Sequence, residues 1–231
     1  MRRIAVTDIH GCKKTLESLL DRLALSQADH LYMLGDYVDR GPDSKGVIDL
    51  IWQLQRQGYP ITCIRGNHEE LVLRAASGNF RFLERWLLTD GKVTMDSFGV
   101  SRCTDIPQEY LDWMKNLPYF HEIDGYILVH AGLDFSLDDP LSDTTEMCWL
   151  RHWYPQIRYQ WLGHKTILHG HTPVGSHVIS EQLNHIDQAK YLDLDCGCVY
   201  ANMEHLKGPN LGQLAAFDMD NRELFFEPFR G

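Results

Sequence analysis

Gly35-Asp36-Tyr37-Val38-Asp39-Arg40-Gly41, followed by Arg65-Gly66-Asn67-His68-Glu69, is the stretch on which the fold reading turns. Each cluster closes a short apolar run: Leu31–Leu34 before the first and Ile61–Ile64 before the second. Ile4–Val6 leads in the same way into Asp8-Ile9-His10-Gly11. Helix-like periodicity follows, with Leu16, Leu19, Leu20, Leu23 and Leu25 marking one face over 13–25. Behind Pro42, placed for a helix start, Val47, Ile48, Leu50, Ile51 and Leu54 mark the next. Three strand–loop–helix units in a row predict a parallel sheet with right-handed crossovers.

Working outward, residues 68–118 read as mainly helical, with aromatics at Phe80, Phe82, Trp86 and Trp113. After Pro118 the pattern turns to strands, expected at 119–123, 126–129, 166–168, 176–179, 190–194, 214–217 and 223–226. Asp124-Gly125 suits a hairpin turn between the first two. The expected class is α/β, with two mixed sheets packed face to face and helices outside, a four-layer α-β-β-α sandwich. No repeat, low-complexity tract or Pro/Gly/Ser-rich linker divides the chain, so 1–231 is expected to be one domain.

The net charge is −10 and no run of Lys or Arg exceeds two, which argues against nucleic acid or an anionic membrane as the partner. An anionic substrate stays open, because bound metal ions reverse the local field. The N-terminal residues lack a signal peptide's apolar core, and no run approaches the ~18 apolar residues of a membrane span. Of six cysteines only Cys196 and Cys198 are close together, a poor zinc signal. They are expected to be reduced, mostly core thiols of a cytoplasmic protein.

Two further clusters follow apolar strands, Val129-His130-Ala131-Gly132 and His169-Gly170-His171-Thr172. A lone Asp or His after a strand is ordinarily a cap or a satisfied surface residue. Five such clusters in order, each with Gly beside Asp, Asn or His, are hard to explain by packing, and strand ends are where α/β sheets collect ligands. The donors are mixed oxygen and nitrogen without thiolate, which suits Mn²⁺ first, with Fe or Zn²⁺ as alternatives, and is too rich in imidazole for Mg²⁺ or Ca²⁺. The number of ligands suggests two ions sharing a carboxylate. Arg40 and Arg65 in the same loops bring forked donors matched to phosphate oxygens.

In order and wording the five clusters resemble the D-x-H-G, G-D-x-V-D-R-G, G-N-H-E, H-A-G and G-H-T motifs of the PPP-type metallophosphatases, within the calcineurin-like metallophosphoesterases. The compact length, His-Gly-His-Thr-Pro and the late Leu-Asp-Cys-Gly are most similar to the phage lambda and small bacterial branch. The resemblance spans residues 8–172 and extends to about 198. It implies Asp8 and His10 on one metal, Asp36 bridging both, and Asn67, His130 and His171 on the second. His68 would be the general acid, oriented by Asp39. Arg40, Arg65 and, on a looser local match, Arg151 would bind phosphate. The implied mechanism is direct attack by a metal-activated hydroxide, without a phosphoenzyme.

These roles imply a serine/threonine protein phosphatase, with phosphotyrosine or a small phosphomonoester also open to the site. The alternative is a symmetrical diadenosine tetraphosphate hydrolase, whose metal motifs are shared. Asp39 favours the ester reading, since a poor alkoxide leaving group needs a strong acid. Glu69 is expected to brace its helix and His169 to be structural. His152, His164, His177, His185 and His205 fit no motif. The aromatics Trp149, Trp153, Tyr154, Tyr159 and Trp161 read as core packing, with a substrate-groove wall as the other reading.

Overall fold

The computed structural model describes residues 1–88, 91–203, 208 and 210–231; His205 lies outside them. Strands β1 (Arg3–Val6), β2 (His30–Met33) and β3 (Ile61–Cys63) pair in parallel, joined by α1 (Lys13–Arg22) and α2 (Ser44–Arg56). The antiparallel strands β8 (Gln213–Asp218) and β9 (Glu223–Pro228) extend this sheet to the order β3-β2-β1-β8-β9. The second sheet, β4-β5-β6-β7, contains β4 (Phe120–Ile123), β5 (Tyr126–Val129), β6 (Thr166–His169) and β7 (Tyr191–Asp193). Its β4–β5 pair is antiparallel and turns at Gly125 with φ +80°; β5–β6 and β6–β7 are parallel. The protein is therefore α/β, with two mixed sheets flanked by helices.

Alternation along the strands builds the layers, because successive side chains point to opposite faces. Ile4, Val6, Leu31, Met33, Leu214 and Ala216 pack against the helices, chiefly Leu16, Leu19, Val47, Ile48 and Ile51. Their neighbours Ala5, Tyr32, Leu34, Ala215 and Phe217 turn inward and meet Tyr126, Leu128, Leu168 and Leu192 of the second sheet. The far face of that sheet, Ile127, Val129 and Ile167, is covered by Leu133, Phe135, Met147, Trp153, Ile157 and Leu162. Burial on both faces explains why these strands read as unbroken apolar runs.

The middle segment supplies α3 (Asn67–Ala76), α4 (Phe80–Leu88), α5 (Gly91–Phe98) and α6 (Gln108–Asn116). A single helical turn, α7 (Tyr159–Leu162), precedes β6. One expected strand is corrected. Residues 176–179 open α8 (Ser176–Asn184), which α9 (Ile186–Ala189) follows. Parallel β6 and β7 need a crossover, and a hairpin strand could not supply it. Val178 and Ile179 look strand-like only because β-branching was read without that topological demand. The six cysteines are free and buried. Among the described residues no helix is long and apolar enough to cross a membrane.

Candidate metal centre

Every expected metal ligand lies just beyond the carboxyl end of a strand. Asp8 and His10 follow β1, Asp36 follows β2, Asn67 follows β3, His130 follows β5 and His171 follows β6. Both sheets deliver their ends to one place, and all six residues are buried. The loops achieve this with unusual backbone. Among the described residues, Asp8, His10, Asp36, Asp39, Arg40 and His171 all have φ between +45° and +73°. Non-glycine residues visit this region rarely, and such conformations persist where the surroundings over-determine them.

The surroundings here are identifiable. Glu69, fully buried at the start of α3, accepts from the backbone N–H groups of Asp36 (3.0 Å), Tyr37 (2.8 Å) and Gly66 (2.9 Å). It therefore ties the β2 loop to the β3 loop, the bracing role expected of it. Burial, then the nearby Asp36, pushes its carboxyl up to about 7. Gly66 and Gly170 permit close approach: a Cβ at Gly66 would sit 2.2 Å from Asp36 Oδ1, and one at Gly170 2.1 Å from Asp8 Oδ2. Neither position could carry a larger residue without moving a carboxylate.

Two overlapping groups of potential ligands share Asp36: His10, Asp36 and His68, and Asp36, His130 and His171. His10 Nε2 lies 3.5 Å and His130 Nε2 3.4 Å from Asp36 Oδ2. Asn67 Oδ1 is 2.9 Å from His130 Nε2 and 2.8 Å from His171 Nδ1. Asp8 is held by Thr7 Oγ1 (2.6 Å) and the His171 N–H (3.1 Å), with Oδ1 4.0 Å from His10 Nε2. His10 Nδ1 and His130 Nδ1 are taken by the carbonyls of Val38 (2.9 Å) and Leu34 (2.8 Å), which aims both Nε2 atoms inward.

The charges of these groups are strongly coupled. Burial opposes ionisation of Asp36, yet His130, His68 and His10 around it hold its carboxyl well below the usual range. In return, burial lowers His130 but Asp36 overcomes it and lifts the ring to about 10. Burial, then Arg40, keeps His10 well below its ordinary value, so it is a neutral donor. His171 Nε2 is buried without a hydrogen-bond partner. Buried imidazole and carboxylate donors gathered around Asp36, with one imidazole nitrogen left unpartnered, fit divalent metal ions of the nitrogen- and oxygen-loving kind.

His68 stands at the rim of this group. Its Nδ1 bonds Asp39 Oδ2 at 2.7 Å, and its ring meets His10 edge-on at 4.7 Å. Burial alone would lower it, but Asp36 and Asp39 together raise its pKa. Asp39 is itself fixed by Trp86 Nε1 (2.9 Å) and Thr94 Oγ1 (2.5 Å), partners that no motif announced. A cavity of about 240 Å³ opens beside His68, lined also by Arg40, Asn67, Leu71, Arg85, Trp149, Arg151 and His171.

Arg65 is not brought to this cavity. Its guanidinium donates to Glu70 Oε1 (2.6 Å), to Tyr119 Oη (2.8 Å) and to the Lys115 carbonyl, and lies over the Tyr119 ring. Arg65, expected on phosphate, here ties α3 to α6 and to Tyr119 just before β4. Arg151 does reach the cavity, with Nη1 2.8 Å from Thr172 Oγ1. Two further buried carboxylates, Asp193 and Asp195, lie behind the centre. Burial raises both well above the ordinary range, and Asp195 feels Asp8 next. The sequence signal for Asp195 was the Leu-Asp-Cys-Gly wording alone. His169 is also behind the ligands, between Tyr154 Oη (3.1 Å) and the Gly170 carbonyl (3.0 Å), and burial lowers it to about 4.

Comparison with known proteins agrees with this geometry. The calcineurin-like phosphoesterase family (Metallophos) matches residues 1–197. The chain belongs to that family. A symmetrical bis(5'-nucleosyl)-tetraphosphatase of Nitrosomonas europaea is 33% identical over 134 residues, 58% of this chain and 45% of that protein. The chain thus spans a little under half the length of such relatives. An asymmetrical bis(5'-nucleosyl)-tetraphosphatase, PrpE, of Oceanobacillus iheyensis is 27% identical over 224 residues, 85% of this chain and 84% of that protein. Among solved structures, a candidate diadenosine tetraphosphatase superposes with a TM-score of 0.69 at 22% identity, covering 100% of this chain and 95% of its own. A protein serine/threonine phosphatase of Saccharomyces cerevisiae gives 0.66 at 15% identity, covering 100% and 80%. Both likenesses establish the phosphoesterase fold.

Proposed function

We propose that this calcineurin-like phosphoesterase hydrolyses dinucleoside polyphosphates, diadenosine tetraphosphate being the type substrate, with residues 1–231 acting as one catalytic domain. The observation that carries the reading is the cavity beside His68, where Arg40, Arg85 and Arg151 gather in a chain of net charge −10. Three guanidinium groups suit a chain of several phosphates better than a single ester. The relatives that name dinucleoside tetraphosphates support it, one of them over most of both chains. This reverses the order of the two readings drawn from the sequence.

In this proposal Asp8, His10, Asp36, Asn67, His130 and His171 hold two divalent ions, with Mn²⁺ the first choice. Bound there, such ions would supply Lewis acidity toward the phosphoryl oxygens and the attacking water. Arg40 and Arg151 hold the phosphoryl oxygens while the bridging P–O bond breaks and a new P–O bond forms in line with it. His68, kept protonated by Asp39, gives its proton to the departing phosphate oxygen.

The His68–Asp39 pair also supports the second reading, a phosphoprotein phosphatase, since alkoxide departure needs a positioned acid most. The test is phosphate-bond cleavage by the Mn²⁺-loaded protein on diadenosine tetraphosphate against phosphoserine and phosphotyrosine peptides. Dinucleotide turnover well above peptide turnover is expected. Strong peptide turnover with an intact dinucleotide would return the protein to the phosphatase reading.

A further inference from the structure

Trp149 and Arg85 line the same cavity as His68, Arg40, Arg151 and His171, yet neither belongs to the metal cluster or to the acid pair. They arrive from separate parts of the chain. Arg85 projects from α4, and Trp149 follows the 3-10 turn at Glu146–Cys148. Arg85 Cζ lies 5.7 Å from the centroid of the Trp149 ring, within the range of a cation–π contact.

The aromatic segment near Arg151 therefore divides. Trp153 is 2% exposed, packs with Phe135 and Leu162, and donates Nε1–H to the Ala131 carbonyl at 3.0 Å. Tyr154 stacks on Tyr191 at 4.1 Å and bonds His169. Those rings serve the core. Trp149, half-buried and packed on the main core, is the one ring of the group that also lines the cavity, with a guanidinium against it.

An indole that lines a cavity together with Arg40, Arg85 and Arg151 is a surface for a flat ring. Base–aromatic stacking is tolerant of which base is present, and guanidinium planes stack on bases as well. The volume of about 240 Å³ falls below the roughly 300 Å³ at which sites for whole drug-sized ligands begin. It suits a phosphoryl group and the first unit attached to it, and the rest of a dinucleotide would lie outside. A serine side chain in the same place would leave the indole without a planar partner.

We propose that Trp149, with Arg85 against it, is the wall that recognises a nucleobase and so sets the specificity of this site for nucleoside phosphates. The inference rests on the dinucleotide reading of the function. AMP and ribose 5-phosphate share the phosphate and sugar and differ by the base, so their affinities isolate the ring.

Both would be titrated calorimetrically into Mn²⁺-loaded protein, as wild type, Trp149→Ala and Trp149→Phe. Wild type is expected to prefer AMP by about tenfold, the size of one stacking contact. Trp149→Ala should bring the ratio close to one, and Trp149→Phe should keep most of it, which separates lost stacking from lost folding. A ratio near one in the wild type, or a ratio that Trp149→Ala leaves in place, overturns the inference. A Trp149-dependent ratio in a protein that leaves diadenosine tetraphosphate intact would uphold base recognition and refute the dinucleotide reading. Dinucleotide cleavage with no such ratio would do the reverse.

Discussion

Asp39→Asn tests the acid at the site most sharply, because it changes charge and almost nothing in shape. Asp39 is fully buried, and its left-handed φ of +69° is one that Asn tolerates. Its carboxylate accepts from His68 Nδ1, Trp86 Nε1 and Thr94 Oγ1. An amide has one acceptor oxygen, which can satisfy the Trp86 and Thr94 side, so its NH₂ must face His68. His68 would then present a bare Nδ1 and hold its proton on Nε2 as a neutral, weak acid. Loss of a positioned general acid costs about 10²–10⁴-fold in rate where the leaving group is poor. Aryl phosphates, whose leaving groups need little protonation, should lose far less. Removing Asp39 also removes one of the causes that raise His68, so the alkaline limb of the rate profile should move to lower pH. Exchange of one charge-assisted bond costs about 2 kcal/mol, and a Tm fall of roughly 4–8 °C follows for a chain of this size. The assay is kcat on an alkyl and an aryl phosphate from pH 5 to 9, with metal content measured on the same samples. Equal losses on the two substrates, or an unmoved alkaline limb with metal retained, would refute the acid role of His68.

Two further expectations follow from individual side chains. Arg65→Gln should leave KM for any phosphate substrate nearly unchanged, because its guanidinium is spent on Glu70, Tyr119 and Lys115. Breaking that largely buried pair should instead cost about 3 kcal/mol, read as a lower midpoint in urea; a large KM rise at full stability would restore the phosphate role. Asp29→Asn probes the Arg2–Asp29 tie, in which Asp29 also accepts from Ser26. The Arg2 hydrogen bond, set against burial, holds the Asp29 carboxyl well below its usual range. Its contribution is therefore present above the unfolded value of about 3.9 and lost as pH falls below it. Wild type should exceed the variant by a constant margin above about pH 5 and lose that margin below about pH 4; a gap that widens on acidification would contradict the assignment.

Much of the site was legible because its chemistry sits at strand ends. Asp8, His10, Asp36, Asn67, His130 and His171 each follow a run of apolar residues and each lies within three residues of a glycine. The sequence therefore announces both a turn and a close approach. The strands themselves were legible for a related reason: burial on both faces leaves a continuous apolar signature. Where the reading failed, local pattern met a global demand. Residues 176–179 are β-branched and look extended, but the parallel pairing of β6 with β7 requires a helix between them.

By itself, then, the sequence determined the fold class and the residue types that gather at the strand ends, because each depends on residue type and short-range spacing. Tertiary structure alone decided how those residues are used. It turned Arg65 away from the cavity toward Glu70, and brought Trp86 and Thr94 onto Asp39 from 47 and 55 residues along the chain. It also brought Trp149, packed on the core, to the edge of the cavity and set Arg85 against its ring. Such choices depend on which helix faces pack together, and nothing in local periodicity records a partner that lies far away in the chain.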